Sequence, residues 1–131
     1  MIFLLDTHIL LWWLAGCSKI SAKQADVIKA ASPQEPLYVS DMTLWEIATL
    51  YSLNRITISE PINQWFNRLL DRTYLTLVRM SPEIATDLAN LPDSFHRDPA
   101  DRTIVSTARV LSATLLTADR QIINSNLVKT L

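Results

Sequence analysis

The residues best placed to do chemistry in this chain are acids. In FHRDPADRTI, residues 95–104, Asp98 and Asp101 stand three apart and lead into the apolar run IVSTARVLSATLL. That spacing puts both carboxylates on about the same face of a helix. Other acids fall at similar junctions. Asp6 ends the apolar run IFLL, Asp119 ends ATLLTAD, and Glu46 lies between Trp45 and Ile47 in DMTLWEIATLYSL. Each also has an ordinary reading. Asp98 or Asp101 could cap a helix, which is worth ~0.3–1 kcal/mol. Asp6 could cap a helix starting at Thr7, Asp119 could start a turn, and Glu46 could sit on an exposed helix edge. Glu46 fits its ordinary reading least, because an acid in a largely apolar helix is costly to bury unless paired or bound to a cation. Carboxylates gathered in one place repel one another and call for a cation. With Cys17 as the only cysteine and His8 and His96 as isolated histidines, the donors would all be oxygen, which suits Mg²⁺ or Mn²⁺ over zinc. Such a site can polarise a phosphate, activate a water and stabilise the leaving oxygen in phosphodiester cleavage.

These acids need a scaffold that brings separate segments together. IFLL (2–5), PLYVS (36–40), YLTLV (74–78) and ATLLTAD (113–119) read as short buried strands, with LVKT as a further short candidate. Between them lie segments of helical pattern. THILLWWLA closes at Gly16, and SAKQADVIKAAS starts at a Ser21 cap with Ala25, Ile28 and Ala31 on one face. DMTLWEIATLYSL carries Leu44, Ile47, Ala48 and Tyr51 as its apolar stripe. SEPINQWFNRLLDR reads as capped by Ser59 with Pro61 in its first turn, and SPEIATDLANLP is closed by Pro92. A last helix is expected from about Pro99 to Ser112. Strands alternating with helices predict a mostly parallel sheet of four to five strands in a three-layer α/β/α fold. In such sheets ligands bind in the crevice beyond the carboxyl ends of the strands, where Asp6 and Asp119 fall.

The composition narrows the field further. The chain has 131 residues, 49% hydrophobic and 19% charged, with a formal net charge of −1. This predicts one globular domain over residues 1–131 and no general polyanion-binding surface. A single glycine, Gly16, removes the Gly-rich phosphate loops of nucleotide-binding folds. One cysteine excludes an internal disulfide and suits a reducing compartment. The opening MIFLLDTHILLWWLAG lacks a basic start and is interrupted by Asp6 and His8, so neither export nor a membrane span is expected. We read the protein as cytoplasmic.

Arg97, Arg102 and Arg120 each neighbour one of the acids, and His96 adjoins Arg97. Ion pairs with those acids are the plain reading, and contacts to the phosphates of a bound substrate the functional one. Trp12, Trp13, Trp45 and Trp65 lie in apolar helical patterns and read mostly as core. Neighbours on a helix point about 100° apart, so one of Trp12 and Trp13 is expected to face outward as an interface residue.

Taken in order, LLDTHILLW, YVSDMTLWEIATLYSL, HRDPADRTIVSTA and LLTADRQI resemble the PIN domain, and more narrowly the VapC-type ribonuclease toxins of bacterial type II toxin–antitoxin systems. The resemblance covers nearly the whole chain. It rests on the combination of an Asp, a Glu in a helix, Asp-x-x-Ile opening a helix, and Thr-x-Asp after a strand. It implies that Asp6, Glu46, Asp101 and Asp119 are the catalytic, metal-binding acids, with Thr7 and Thr117 beside them and Asp98 in a secondary role. It also implies an Mg²⁺- or Mn²⁺-dependent endoribonuclease, a cognate VapB-type antitoxin, a homodimer, and contact with DNA only through the antitoxin. Trp12 and Trp13 become candidates for antitoxin contact. Ala100 stands where the related branch has Phe. Two other readings compete. One is a receiver-like phosphoacceptor, which would need adjacent acids after the first strand and a lysine after the last. The other is a catalytically silent module of the same fold.

Overall fold

The strands are short, apolar runs flanked by polar or capping residues: β1 (Phe3–Leu5), β2 (Leu37–Ser40), β3 (Leu75–Val78) and β4 (Thr114–Leu116). All pair in parallel in the order β3-β2-β1-β4, in a computed structural model that describes all 131 residues. Near-continuous apolar sequence is what a strand buried on both faces requires. Alternation divides the two faces. Leu5, Leu37, Val39 and Leu116 point into one cluster with Ile9, Leu10 and Ile47, whereas Leu4 and Leu115 point into the other with Ile104, Val105 and Ile122. Burial on both sides gives the three-layer α/β/α arrangement.

The helices are α1 (Thr7–Leu14), α2 (Ala22–Lys29), α3 (Asp41–Ser52), α4 (Ile62–Leu70), α5 (Pro82–Ala89), α6 (Pro99–Leu111) and α7 (Arg120–Ser125). Their starts follow local chemistry. Ser21 and Gln24 form a reciprocal capping box, and Ser81 caps α5 ahead of a proline in its first turn. Gly16, just past α1, has φ +66°, a conformation that glycine adopts without a Cβ clash.

Several expectations need correction. Pro61, not Ser59, occupies the cap position of α4, and it makes no side-chain capping bond. LVKT contributes no strand of its own, only a single parallel bridge between Leu115 and Thr130. The short helix α7, directly after Asp119, had no periodic signal to reveal it. Trp45, expected in the core, is 55% exposed. Neither Trp12 nor Trp13 faces outward: both are half-buried against the first core cluster. Residues 100° apart can straddle a boundary without either leaving it. The Trp12 ring is also covered by Lys19, whose Nζ lies 5.2 Å from its centroid. No helix is long and apolar enough to cross a membrane.

Candidate active site

The chain runs from β1 to β2 on one side and reaches β4 on the other, so β1 is the point at which the strand order reverses. A crevice beyond the strand ends opens at such a switch point. Register then fixes the first acid. Leu5 pairs with Leu116, so Asp6 and Thr117 emerge side by side from adjacent strands. The Thr117 hydroxyl donates to Asp6 Oδ2 at 2.8 Å, and the Thr7 amide donates to Asp6 Oδ1 at 2.8 Å. Asp6 is therefore both a cap for α1 and a buried carboxylate, 4% exposed, with both oxygens held.

Glu46 comes from the second turn of α3. The Thr7 hydroxyl donates to its Oε1 at 2.5 Å and lies 3.0 Å from the Thr43 hydroxyl. Thr43, fully buried, was missed in the sequence. The signal was there: a hydroxyl three residues before Glu46 shares its helix face.

Asp98 and Asp119 cap α6 and α7. Asp98 Oδ1 accepts from the Ala100 and Asp101 amides at 2.9 and 3.4 Å. Asp119 Oδ1 accepts from the Gln121 and Ile122 amides at 2.8 and 3.2 Å. In each case Oδ2 accepts nothing within the chain. The Asp119 amide in turn donates to the Thr117 hydroxyl at 3.0 Å, so one threonine links two acids. The capping reading and the site reading thus hold together, because a cap uses one oxygen and leaves the other. Asp98 lies exposed at the rim, whereas Asp101, in the first turn of α6, points inward and is half-buried.

Electrostatics shows how these groups meet. Asp101 is pushed up from 3.8 to about 8, first by burial and then by the charges of Asp6, Asp98, Asp119 and Glu46. Glu46 is raised by burial, against the Thr7 hydrogen bond that lowers it, and by the charge of Asp6. Asp6 is raised chiefly by burial, against its bonds to Thr117 and Thr7, with Asp119 adding repulsion. Acids from four segments therefore act on one another at one end of the sheet. His8, exposed on α1, acts on Asp6 and Glu46 in the opposite sense. As arranged, no three histidine, cysteine, aspartate or glutamate side chains enclose a metal position.

The basic residues divide. Arg102 is 8% exposed, and its Nη1 donates to the Phe95 and His96 carbonyls at 3.1 and 3.3 Å. This corrects its assignment to phosphate contact: it fastens the loop ahead of α6. Arg97 is exposed and 3.4 Å from Asp93, itself fully open to solvent. Arg120 is exposed and forms no ion pair. None of the three arginines pairs with a candidate acid. His96 does approach one, with Nε2 3.2 Å from Asp101 Oδ2, although the geometry makes no directed hydrogen bond.

A family model, the PIN domain, matches the chain over residues 3–125. The chain belongs to the PIN domain family. Ribonuclease VapC22 of Mycobacterium tuberculosis (strain ATCC 25618 / H37Rv) is 33% identical over 119 residues, covering 91% of this PIN chain and 88% of that protein. Two solved structures superpose over the full chain at low identity and share its fold. VapBC-1 from nontypeable Haemophilus influenzae has a TM-score of 0.75 at 16% identity, with 97% of that chain covered. VapBC2 from Rickettsia felis, bound to a DNA fragment from its promoter, has a TM-score of 0.73 at 17% identity, with 98% covered.

Proposed function

We propose that this PIN domain is an Mg²⁺- or Mn²⁺-dependent endoribonuclease, the toxin of a toxin–antitoxin pair, acting as one unit over residues 1–131 in the cytoplasm. The observation that carries the proposal is the gathering of acids around Asp101, whose carboxyl is pushed up first by burial and then by four other acids in a crevice at the strand ends. A cluster of like charges in which no lysine or arginine pairs with an acid fits a site that takes a cation. The donors are all oxygen, and Glu46, Asp98, Asp119 and Asp101 retain oxygens that accept nothing in the chain. Magnesium takes only one or two carboxylates and keeps several waters, which suits acids that do not close into a cage. Asp6, Glu46, Asp101 and Asp119 would hold the ion between them, one or two directly and the others through its waters, with Asp98 at the rim. When bound, the ion supplies the positive charge that polarises the phosphate and lowers the pKa of water. The remaining work belongs to the chain. Thr117 and the Thr7 amide fix both oxygens of Asp6, and the Thr7 hydroxyl aims Glu46. Asp101 holds a proton near neutrality until positive charge enters the crevice. Arg97, Arg120 and His96 are the groups left to meet RNA phosphates.

The relative named as a ribonuclease and the solved VapBC pairs support the toxin reading and a VapB-type antitoxin as partner. A cavity of about 690 Å³ runs beside α1 and the end of α3, lined by His8, Leu11, Trp12, Leu50, Ile58 and Trp65 among others. We place an amphipathic antitoxin helix there, with a basic side chain reaching past His8 to the acids. Trp12 lines this groove and Trp13 does not. Trp12→Ala is therefore expected to weaken antitoxin binding at least about tenfold with RNA cleavage retained, and Trp13→Ala to leave binding unchanged. Titration calorimetry with the cognate antitoxin decides it. A homodimer would use another surface, the outer side of α5 and the end of α6, where Val110 is 39% exposed. DNA would be reached only through the antitoxin.

The function itself is tested by incubating single-stranded RNA with the purified chain. Cleavage should stop in EDTA and return with Mg²⁺ or Mn²⁺. Cleavage indifferent to chelation, or none under any condition, would defeat the proposal.

A further inference from the structure

A second cavity, of about 460 Å³, lies between the loop ahead of α6 and helix α7, and the ribonuclease reading leaves it without a role. Its walls include Ser94, Phe95, His96, Gln121, Asn124 and Ser125. Three features give it a chemical character. Aside from His96, no ionisable side chain lines it, so it offers no counter-charge for a phosphate or a carboxylate. The side chains of Gln121 and Asn124 are exposed and make no hydrogen bond within the chain, so two amides, each both donor and acceptor, are free. The His96 ring forms an aromatic edge, packed at 70° against Phe95 with centroids 4.6 Å apart.

Its position matters as much as its lining. His96 reaches from this cavity to within 3.2 Å of Asp101. The Gln121 backbone N–H donates to Asp119 Oδ1 at 2.8 Å. Both walls therefore start at candidate catalytic acids. The loop wall is also held in place, because buried Arg102 ties its Phe95 and His96 carbonyls to α6. Exposed Arg97 and Arg120 are the chain neighbours of His96 and Gln121. An amide-rich pocket without a counter-charge, beside an aromatic ring and with walls that start at two acids, has the chemistry of a nucleobase site. Amides recognise base edges, and unstacked bases of single-stranded RNA lodge against aromatic side chains.

We propose that this cavity binds a nucleobase adjoining the scissile phosphate, and that Gln121 and Asn124 read its edge and so set where the RNA is cut. The proposal rests on the ribonuclease reading for its link to cleavage but not for base binding, and the test separates the two.

The first measurement is NMR of the ¹⁵N-labelled chain in EDTA, titrated with the four ribonucleoside 5′-monophosphates and with ribose 5-phosphate. The Gln121 and Asn124 side-chain amide signals should shift with one or two of the bases and stay still with ribose 5-phosphate. Equal shifts with ribose 5-phosphate, or none with any base, overturn the proposal. The second is sequencing of the ends released from a mixed RNA pool by wild type, Gln121→Ala and Asn124→Ala. At least one variant should lose about fivefold or more of the wild-type preference at a base next to the cut. Unchanged preference in both variants also overturns it. If wild type cuts no RNA, the ribonuclease reading fails and the NMR result alone decides base binding. Circular dichroism of both variants should match wild type, since both side chains lie on the surface.

Discussion

Asp6→Asn is expected to reduce RNA cleavage by at least about a hundredfold while leaving the fold intact. Even partners of metal-binding groups contribute about 10- to 100-fold when removed, and Asp6 is proposed as a ligand itself. The fold should tolerate the change for a specific reason. The asparagine oxygen can still accept from the Thr7 amide, and its NH₂ can donate to the Thr117 hydroxyl, which has acceptor capacity to spare. Removing a buried charge that repels Asp101 and Glu46 should leave the ion-free variant at least as stable as wild type. Mg²⁺ should raise the melting temperature of wild type, because a ligand that binds only the folded state stabilises it, and raise that of the variant clearly less. Cleavage within tenfold of wild type, or equal stabilisation of both proteins by Mg²⁺, would remove Asp6 from the site. Asp98→Asn, by contrast, should lower cleavage less than Asp101→Asn, since Asp98 stands at the rim.

The second large effect concerns pH. In the ion-free chain Asp101 titrates at about 8 against 3.8 for an ordinary aspartate. Below that lower value both folded and unfolded states hold the proton. Between the two values the folded state keeps a proton that the unfolded state has lost, so stability falls with each unit of rising pH. Above about 8 the two states again match and this contribution to the slope ends. The raised values of Asp6 and Glu46 act in the same direction. Melting in EDTA between about pH 5 and about pH 8 should therefore show a marked decline in wild type and a shallower one in Asp101→Asn. Mg²⁺ should stabilise most at the high end, where the acids are ionised and ready to bind it. A flat profile for wild type in EDTA, or identical slopes in the two proteins, would contradict the mutual repulsion described here.

How much of this was legible in the sequence depended on how local the signal was. The four strands are short apolar runs with clear ends, and the Ser21, Ser81 and Gly16 boundaries follow from single-residue chemistry, so these elements could be read directly. Helix α7 spans only Arg120–Ser125, too short for a periodic pattern to form. The placement of Asp6 and Asp119 beyond adjacent strands followed from the alternation of strands and helices. The roles of the arginines did not. Nothing local distinguishes Arg102, whose partners are carbonyls six and seven residues back, from Arg120, which points to solvent. Trp45 misled for a related reason. In α3 the buried stripe runs through Thr43 and Ile47, so a hydroxyl took a core position that the large ring was expected to fill.

The pairing of β1 with β4 has a consequence for synthesis on the ribosome. The strand that leads into Asp6 is made before the other three strands of the sheet, and one of its two neighbours is Thr114–Leu116. Thr117, which holds Asp6, lies 111 positions further along the chain. Until that last strand has left the exit tunnel, Asp6 lacks its hydroxyl partner and Asp119 has no place in the crevice. A nascent chain that has made β1–β3 and α1–α5 carries only Asp6 and Glu46 of its acid cluster. Contacts of such long sequence separation close late and slowly. Translation therefore acts as a timer on this crevice: chains stalled or truncated before residue 117 would emerge without the threonine that links Asp6 to Asp119.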